Sequence, residues 1–231
     1  MAMAILVIWA ALFTLLRRNR TAIFWTSLML MTAGPVGEYW VIPGYWRPVY
    51  SVPMSFRSWN FGIEDFLISF AIAGISAGVF ESIALKKGLP ELPRLKGIVL
   101  LRIFSFCVLG FLLMVLLASV CKFSPIHALL LTVFIPSVLM LSTRPGLVPL
   151  VLPASLMAGV VFWLFYIAFM LPFFPGLTQA LWNSDNTLGT IAGIPIEEML
   201  WASTTMLFAG PVYRFCSTTS FRQIMHIKRG N

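Results

Sequence analysis

Charge is what this chain has least of. Only 10% of its 231 residues are charged, and Asp and Glu together occupy eight positions. Soluble domains carry about one quarter charged residues, so a soluble globular protein is excluded. A mean hydropathy of +0.92 and a hydrophobic content of 59% predict an all-α integral membrane protein instead.

Cysteine and cofactor motifs are also scarce. The three cysteines lie in or beside apolar segments without CxxC spacing, which argues against a disulfide framework or a metal site. The sequence has no GxGxxG, Walker or HExxH pattern, so it indicates no nucleotide or metal cofactor, and any cofactor is unknown. The N-terminus lacks the basic start of a cleavable signal peptide, so the first apolar segment is expected to remain as a span.

Long apolar runs divide the chain into seven predicted spans. They cover approximately residues 2–16, 21–41, 63–85, 97–120, 125–141, 147–173 and 195–216. A helix needs about 20 residues to cross a bilayer, and the first and fifth runs are short for that purpose. The chain is therefore predicted to be a multi-pass protein, most simply of the cell membrane.

Basic residues predict the orientation of the spans. Thirteen of the sixteen Lys and Arg residues fall on one side, and only Arg47, Arg57 and Lys122 fall on the other. The positive-inside rule then puts the C-terminus in the cytoplasm and the N-terminus outside. Topology and attraction to anionic lipid explain the net charge of +8, so nucleic acid is not an expected partner.

The acidic residues suggest an internal repeat. Glu64-Asp65 and Glu197-Glu198 each open an apolar run, and an offset of 133 residues aligns 61–81 with 194–214. Each copy is predicted to contain three spans, giving a 3+1+3 arrangement with parallel copies and with both acid pairs at the outer membrane face. The predicted divisions are a first repeat at 1–85, a linking span within 86–124, a second repeat at 125–216 and a basic cytoplasmic tail at 217–231.

The acid pairs are better explained by function than by helix capping. An acid in the first turn of a helix gains about 0.3–1 kcal/mol from the helix dipole, and Pro195 is a natural first-turn residue. Capping accounts for one acid, whereas two adjacent acids repel each other and occur here twice. Ionisable groups at membrane depth usually mark a site. The predicted catalytic residues are Glu64, Asp65, Glu197 and Glu198.

Three stretches carry a resemblance to a known family. GEYWVIPGYW (37–46), FGIEDFLISF (61–70) and GIPIEEML (193–200) resemble the tandem lycopene cyclase domain family, the small membrane-integral carotenoid cyclases of some bacteria, archaea and fungi. In that family each repeat ends in a P-x-E-[ED] motif. Pro195, Glu197 and Glu198 fit it, whereas the first copy has Gly62 in place of proline.

The first copy matches more of the family's motifs than the second copy does. Glu38 and Gly44-Tyr45-Trp46 are similar to the acid and the G-x-W that precede the first motif, and Glu81 resembles the acid that closes the span. The second outer loop keeps Trp182 and Asn183 but lacks the upstream acid and the G-x-W.

The resemblance implies a redox-neutral cyclisation of the linear end groups of lycopene, catalysed by an enzyme of the intramolecular lyase or isomerase type. The reaction begins with protonation of a terminal alkene and ends with loss of a proton. It requires a protonated carboxylic acid near neutral pH, and a second carboxylate nearby raises the pKa of one partner. That second carboxylate can serve as the base or steady the cation.

Aromatic residues of the outer loops could stabilise the carbocation. The predicted substrate-binding residues are Glu38, Trp40, Trp46, Phe61, Phe66 and Trp201. Trp and Tyr residues also anchor proteins at membrane interfaces, and we expect anchoring for most of these rings, with Trp46 and Trp201 as the exceptions.

Other functions remain open, both a different enzymatic activity and roles without catalysis. A terpene cyclase acting on another isoprenoid would use the same chemistry, and a proton-coupled transporter would also have parallel repeats and acids. A carrier should place acids near the midplane, whereas these cluster at one face. A non-catalytic scaffold leaves the acid pairs unexplained. The expected partners are a lipophilic isoprenoid and the lipid bilayer, with oligomerisation left open.

Three further residues or pairs have simpler explanations. Gly74 and Gly78 form a GxxxG motif, which indicates a close helix contact. His127, near an outer span end, could assist proton transfer, but a lone histidine more often packs or lies at an interface. Glu81 lies at the predicted cytoplasmic end near Lys86 and Lys87, where charge pairing competes with any catalytic role.

Overall fold

The computed structural model describes residues 2–42, 44–48, 50–57, 59–92, 97–174, 176–183 and 187–217. Apart from Ser217, the predicted basic tail lies outside the described residues. The fold is mostly helical. Its helices are α1 (Ala2–Leu15), α2 (Arg20–Leu30), α3 (Ala33–Val41), α4 (Ile63–Lys86), α5 (Gly97–Met114), α6 (Pro125–Thr143), α7 (Val148–Phe165), α8 (Leu171–Phe173), α9 (Leu177–Leu181) and α10 (Ile196–Ser217). Helix α5 continues as a π-helix over Val115–Val120, and α7 continues as one over Tyr166–Met170.

Two short antiparallel hairpins complete the fold. Strand β1 (Pro53–Phe56) pairs with β2 (Trp59–Gly62), with Pro53 opposite Gly62. Strand β3 (Thr190–Ile191) pairs with β4 (Ile194–Pro195), with Thr190 opposite Pro195. The first hairpin leads directly into α4 and the second leads directly into α10. Each acid pair therefore lies in the first helical turn after a hairpin.

Several helices are long and apolar enough to cross a membrane. Within the described ranges, four segments meet this requirement: Ile63–Lys86, Gly97–Val120, Pro125–Thr143 and Pro145–Phe173. Ala2–Leu15 and Arg17–Val41 supply a fifth if they count as one span, although they are bent by 100°. Four or five candidate spans thus stand against the seven predicted, and the seven-span arrangement and its orientation stay predictions.

Helix α10 differs from these candidate spans because its neighbours shield it. It packs against α4, α6 and α7, and many of its side chains are buried, including Arg214. A helix surrounded by others needs less apolar surface than one that faces lipid. Helix α5 is the opposite case, since Leu101, Phe104 and Leu112 are exposed. An apolar exterior around a partly polar centre is typical of a membrane bundle.

The GxxxG motif makes the predicted close helix contact. A Cβ atom added to Gly74 would lie 2.1 Å from Ser27 Oγ, and one added to Gly78 would lie 3.1 Å from Ile23 Cδ1. Both neighbours belong to α2, so the two glycines allow a close approach of α4 to α2, with the tighter contact at Gly74.

Glu81 forms a charge pair, as expected, and its partner is Arg214 of α10. Arg214 Nε donates to both carboxylate oxygens of Glu81 at 3.1 Å, and Arg214 Nη2 donates to Oε2. Arg214 Nη1 also donates to the carbonyl oxygen of Pro90 at 3.0 Å. Both side chains are buried, so the forked guanidinium compensates the charge that Glu81 brings into the bundle.

Candidate active site

Glu198 is a buried carboxyl group held by two neutral donors. Its Oε1 atom accepts a hydrogen bond from the Tyr45 hydroxyl at 2.9 Å and another from Trp182 Nε1 at 3.1 Å. Glu198 is 8% exposed, and both donors are also buried. Burial raises the pKa of the Tyr45 phenol above its ordinary value. Tyr45 therefore keeps its proton and acts as a donor to Glu198.

Backbone pairing between two distant loops places these donors. Arg47 N donates to the carbonyl oxygen of Leu181 at 2.8 Å, and Asn183 N donates to that of Tyr45 at 2.9 Å. Between these bonds, Trp46 and Trp182 form an antiparallel bridge. The Gly44-Tyr45-Trp46 segment of the first outer loop is thus joined to the Trp182-Asn183 segment of the second outer loop. The second loop has no G-x-W of its own.

A row of aromatic rings runs beside Glu198. Ring centroids lie 5.6 Å apart for Trp46 and Trp182, 5.3 Å for Tyr166 and Trp182, and 5.1 Å for Phe162 and Tyr166. Trp201 extends the row, with its ring 5.6 Å from that of Phe162. The row includes Trp46 and Trp201, the two rings for which a role beyond anchoring is predicted.

Glu197 is fully buried in different surroundings. Its Oε1 atom accepts a hydrogen bond from the backbone N–H of Leu188 and lies 3.5 Å from His127 Nε2. Its Oε2 atom is buried and has no hydrogen-bond partner in the described part of the chain. One oxygen is therefore fixed by the preceding loop, and the other is available.

The first acid pair repeats part of this pattern. Glu64 Oε1 accepts a hydrogen bond from the backbone N–H of Ser51 at 2.7 Å, as Glu197 does from Leu188. Asp65 Oδ2 instead accepts the N–H of Gly62 at 2.8 Å and so caps its own helix. Pro195 has no N–H to offer at the equivalent place. Glu198 is consequently free to bind Tyr45 and Trp182.

The contacts of Gly62 explain why this position departs from the proline of the family motif. A Cβ atom at this position would lie 2.3 Å from Tyr50 Cδ1 and 2.5 Å from Glu64 Oε2. Proline would meet the same obstacles and would remove the N–H that binds Asp65.

Glu38 lies between the two acid pairs. It interacts electrostatically with both Asp65 and Glu198. Gly34, one turn earlier on α3, packs closely on the first turn of α4, since a Cβ atom there would lie 2.8 Å from the Asp65 carbonyl oxygen. The Oε2 atom of Glu38 is buried without a hydrogen-bond partner among the described residues. All five acids of the predicted site therefore belong to one connected region.

The remaining predicted substrate-binding residues form a second aromatic group. The Phe61 ring lies 4.7 Å from that of Trp59 and 6.0 Å from that of Phe66. Trp40 donates through Nε1 to Ser119 Oγ at 3.2 Å, and its ring lies 6.0 Å from that of Phe111. Trp40 thus contacts the largely exposed α5, which fits an anchoring role.

Sequence reasoning did not identify Tyr45 and Trp182 as partners of Glu198. Tyr45 entered the prediction only as part of the G-x-W segment, and Trp182 only as part of the second outer loop. The signal that could have found them is the pairing of these two segments, which only the folded chain shows.

Comparison with known proteins identifies one family. Residues 123–216 match the model of the lycopene cyclase family, and this match supports assigning the chain to that family. The matched range covers less than half of the chain and nearly coincides with the predicted second repeat at 125–216. No match was found among curated proteins or solved structures.

Proposed function

We propose that this chain, which carries a lycopene cyclase family domain at residues 123–216, cyclises the linear end groups of a membrane-dissolved carotenoid such as lycopene. The family match supports carotenoid cyclase activity in general. The observation that carries the specific proposal is Glu198, a buried carboxyl group beside a row of aromatic rings.

Glu198 is the proton donor in this proposal. Burial favours the neutral, protonated form of a carboxyl group, which the first step requires, and this effect outweighs the opposing influence of the two donated hydrogen bonds. The O–H bond of Glu198 breaks, and a C–H bond forms at the terminal alkene of the substrate. A neighbouring double bond then attacks the resulting cation and closes the ring.

The aromatic row stabilises the cation formed in this step. Trp182 donates a hydrogen bond to Glu198, and the rings of Tyr166 and Trp46 lie 5.3 Å and 5.6 Å from the Trp182 ring. Ring faces attract a cation, and their bulk excludes the water that would capture it.

A neighbouring carboxylate completes the reaction. When a C–H bond of the cyclised cation breaks, its electrons form the ring double bond and the proton passes to a carboxylate. Glu197, Glu38, Asp65 and Glu64 are the candidates, and three of these four acids have a buried oxygen without a hydrogen-bond partner in the part of the chain that the structure describes. No electron acceptor is needed, because the product is an isomer of the substrate.

Two equivalent halves of the bundle support the proposed internal repeat. Helix α4 packs against α1 and α2, and α10 packs in the same way against α6 and α7. Each of these central helices follows a hairpin and opens with an acid pair. Helices α4 and α10 also contact each other, which brings the two halves together around the acids.

Expression in a lycopene-accumulating host tests the proposal. We expect pigment chromatography to show conversion of lycopene to ring-bearing carotenoids by the wild-type protein. Glu198→Gln, Glu197→Gln and Glu64→Gln should each remain in the membrane and lose conversion. Unchanged lycopene with well-expressed wild type would contradict the assigned substrate, and a cyclic product from another supplied isoprenoid would then identify a related terpene cyclase.

A further inference from the structure

His127 is the one titratable side chain in direct contact with Glu197 within the described ranges. It lies in the first turn of α6, and its Nε2 atom is 3.5 Å from Glu197 Oε1. This nitrogen is buried and has no hydrogen-bond partner among the described residues. Structural histidines usually satisfy their buried ring nitrogen, so packing alone does not explain this one.

The same side chain also reaches the surface. The His127 side chain is 31% exposed, whereas Glu197 is completely buried. One imidazole ring therefore connects a buried carboxyl group with the exterior at the acid-bearing end of the bundle. An imidazole accepts a proton on one nitrogen and releases another from the second, so it can move protons without leaving its place.

We propose that His127 is a proton-relay residue, which exchanges protons between water at this end of the bundle and the carboxyl groups of Glu197 and Glu198. The inference rests on the proposed function but concerns a residue that this function does not use. In the inward step Nδ1 of the neutral imidazole takes a proton from water, the N–H bond at His127 Nε2 breaks, and an O–H bond forms at the Glu197 carboxylate. In the outward step Glu197 returns a proton to Nε2 and Nδ1 releases one to water, which restores the starting form of the ring.

The relay has a consequence for the origin of the proton in each product ring. Cyclisation adds one proton to the substrate and removes another, so an isolated site could reuse the same proton indefinitely. With the relay, the proton taken from the substrate is lost to water before the next turnover. Glu198, adjacent to Glu197 in α10, is then reloaded from solvent.

Cyclisation in D2O over many turnovers separates these cases. We expect wild type to add one deuterium to each ring, measured by mass spectrometry of the purified product. His127→Gln should add at least several-fold less, since its site recycles the protium taken from the substrate. His226→Gln is the matched control, because the chain has only two histidines, and it should behave as wild type. Imidazole added to His127→Ala should restore deuterium incorporation. Full incorporation by His127→Gln would overturn the proposal.

A second measurement does not depend on turnover. The infrared band of buried protonated carboxyl groups shifts when their protons exchange for deuterium. We expect this exchange to be at least tenfold slower in His127→Gln than in wild type, in proteins with matching thermal unfolding. Equal exchange rates would overturn the relay even if His127→Gln were inactive. If wild type forms no ring product, the proposed substrate fails while the exchange measurement still decides the relay.

Discussion

Arg214 and Glu81 are bound to each other between α10 and α4, and they occupy equivalent positions of the two aligned segments. The offset of 133 residues that superimposes Glu64 on Glu197 also superimposes Glu81 on Arg214. The acid thus lies in the first aligned segment, and the base that neutralises it lies at the same position of the second. The pair ties α4 to α10 at the end of these helices opposite the acid pairs.

Removing one partner of this buried pair should be costly. We expect Glu81→Gln to lower the free energy of unfolding by about 3–5 kcal/mol, because the Arg214 charge would stay buried without its counter-charge. The double variant Glu81→Leu with Arg214→Met should recover most of that loss. Thermal unfolding in detergent measures both. Glu91→Gln is the control, since its ion pair with Arg18 is exposed and should contribute below about 1 kcal/mol.

Tyr45→Phe tests whether the hydrogen bond from Tyr45 holds Glu198 in position as the proton donor. The change removes the hydroxyl that binds Glu198 and leaves the ring in place. We expect kcat to fall roughly tenfold or more, because loss of a buried hydrogen bond costs about 1–3 kcal/mol and about 1.4 kcal/mol is a factor of ten in rate. Steady-state cyclisation assays measure it. Tyr39→Phe, at an exposed tyrosine, should keep the wild-type rate. Equal rates for both variants would argue against Glu198 as donor.

Gly62→Ala tests why the first motif lacks proline. The added methyl group would collide with the Tyr50 ring and the Glu64 carboxylate, so we expect a loss of about 1–3 kcal/mol in unfolding free energy. Gly97→Ala should have little effect, because nothing lies within 4 Å of the position of its Cβ atom. If both variants unfold at the wild-type temperature, the packing of Tyr50 on Gly62 does not constrain this position.

Trp46 and Trp40 should respond differently to the same substitution. Trp46→Leu removes a ring from the row beside Glu198, and we expect kcat to fall roughly 30-fold, since a desolvated cation–π contact contributes about 2 kcal/mol. Trp40→Leu removes a ring that contacts α5, and we expect kcat to change little while membrane insertion weakens. Product formation per mole of inserted protein distinguishes the two effects. A larger loss of kcat in Trp40→Leu would reverse the assignment.

Helix positions were largely predictable because apolar runs and helix-start residues are local signals. Helix α4 begins at Ile63 and α6 at Pro125, as predicted, and α10 begins at Ile196, one residue after the predicted start. The second predicted span is the exception, since it is interrupted at Met31 and Thr32 between α2 and α3. Gly34 and Pro35 follow directly, and their low helix propensity suits such a break.

The partners of the acids were not predictable from local signals. The sequence singled out Glu197 and Glu198 because charges are rare in apolar runs. Nothing nearby indicated that Tyr45, 153 positions away, would bind Glu198, or that Arg214 would bind Glu81. The 3.5 Å approach of His127 to Glu197 likewise depends on how α6 packs against α10.

The two donors to Glu198 come from opposite halves of the chain, Tyr45 from the first and Trp182 from the second. The carboxyl group is consequently oriented only when both halves have docked, and the Trp46–Trp182 bridge closes the rings around it in the same event. A partly assembled chain would have the acids without the enclosure. Under the proposed mechanism such an intermediate is inert, so the proton donor is set in place only after both halves of the chain have docked.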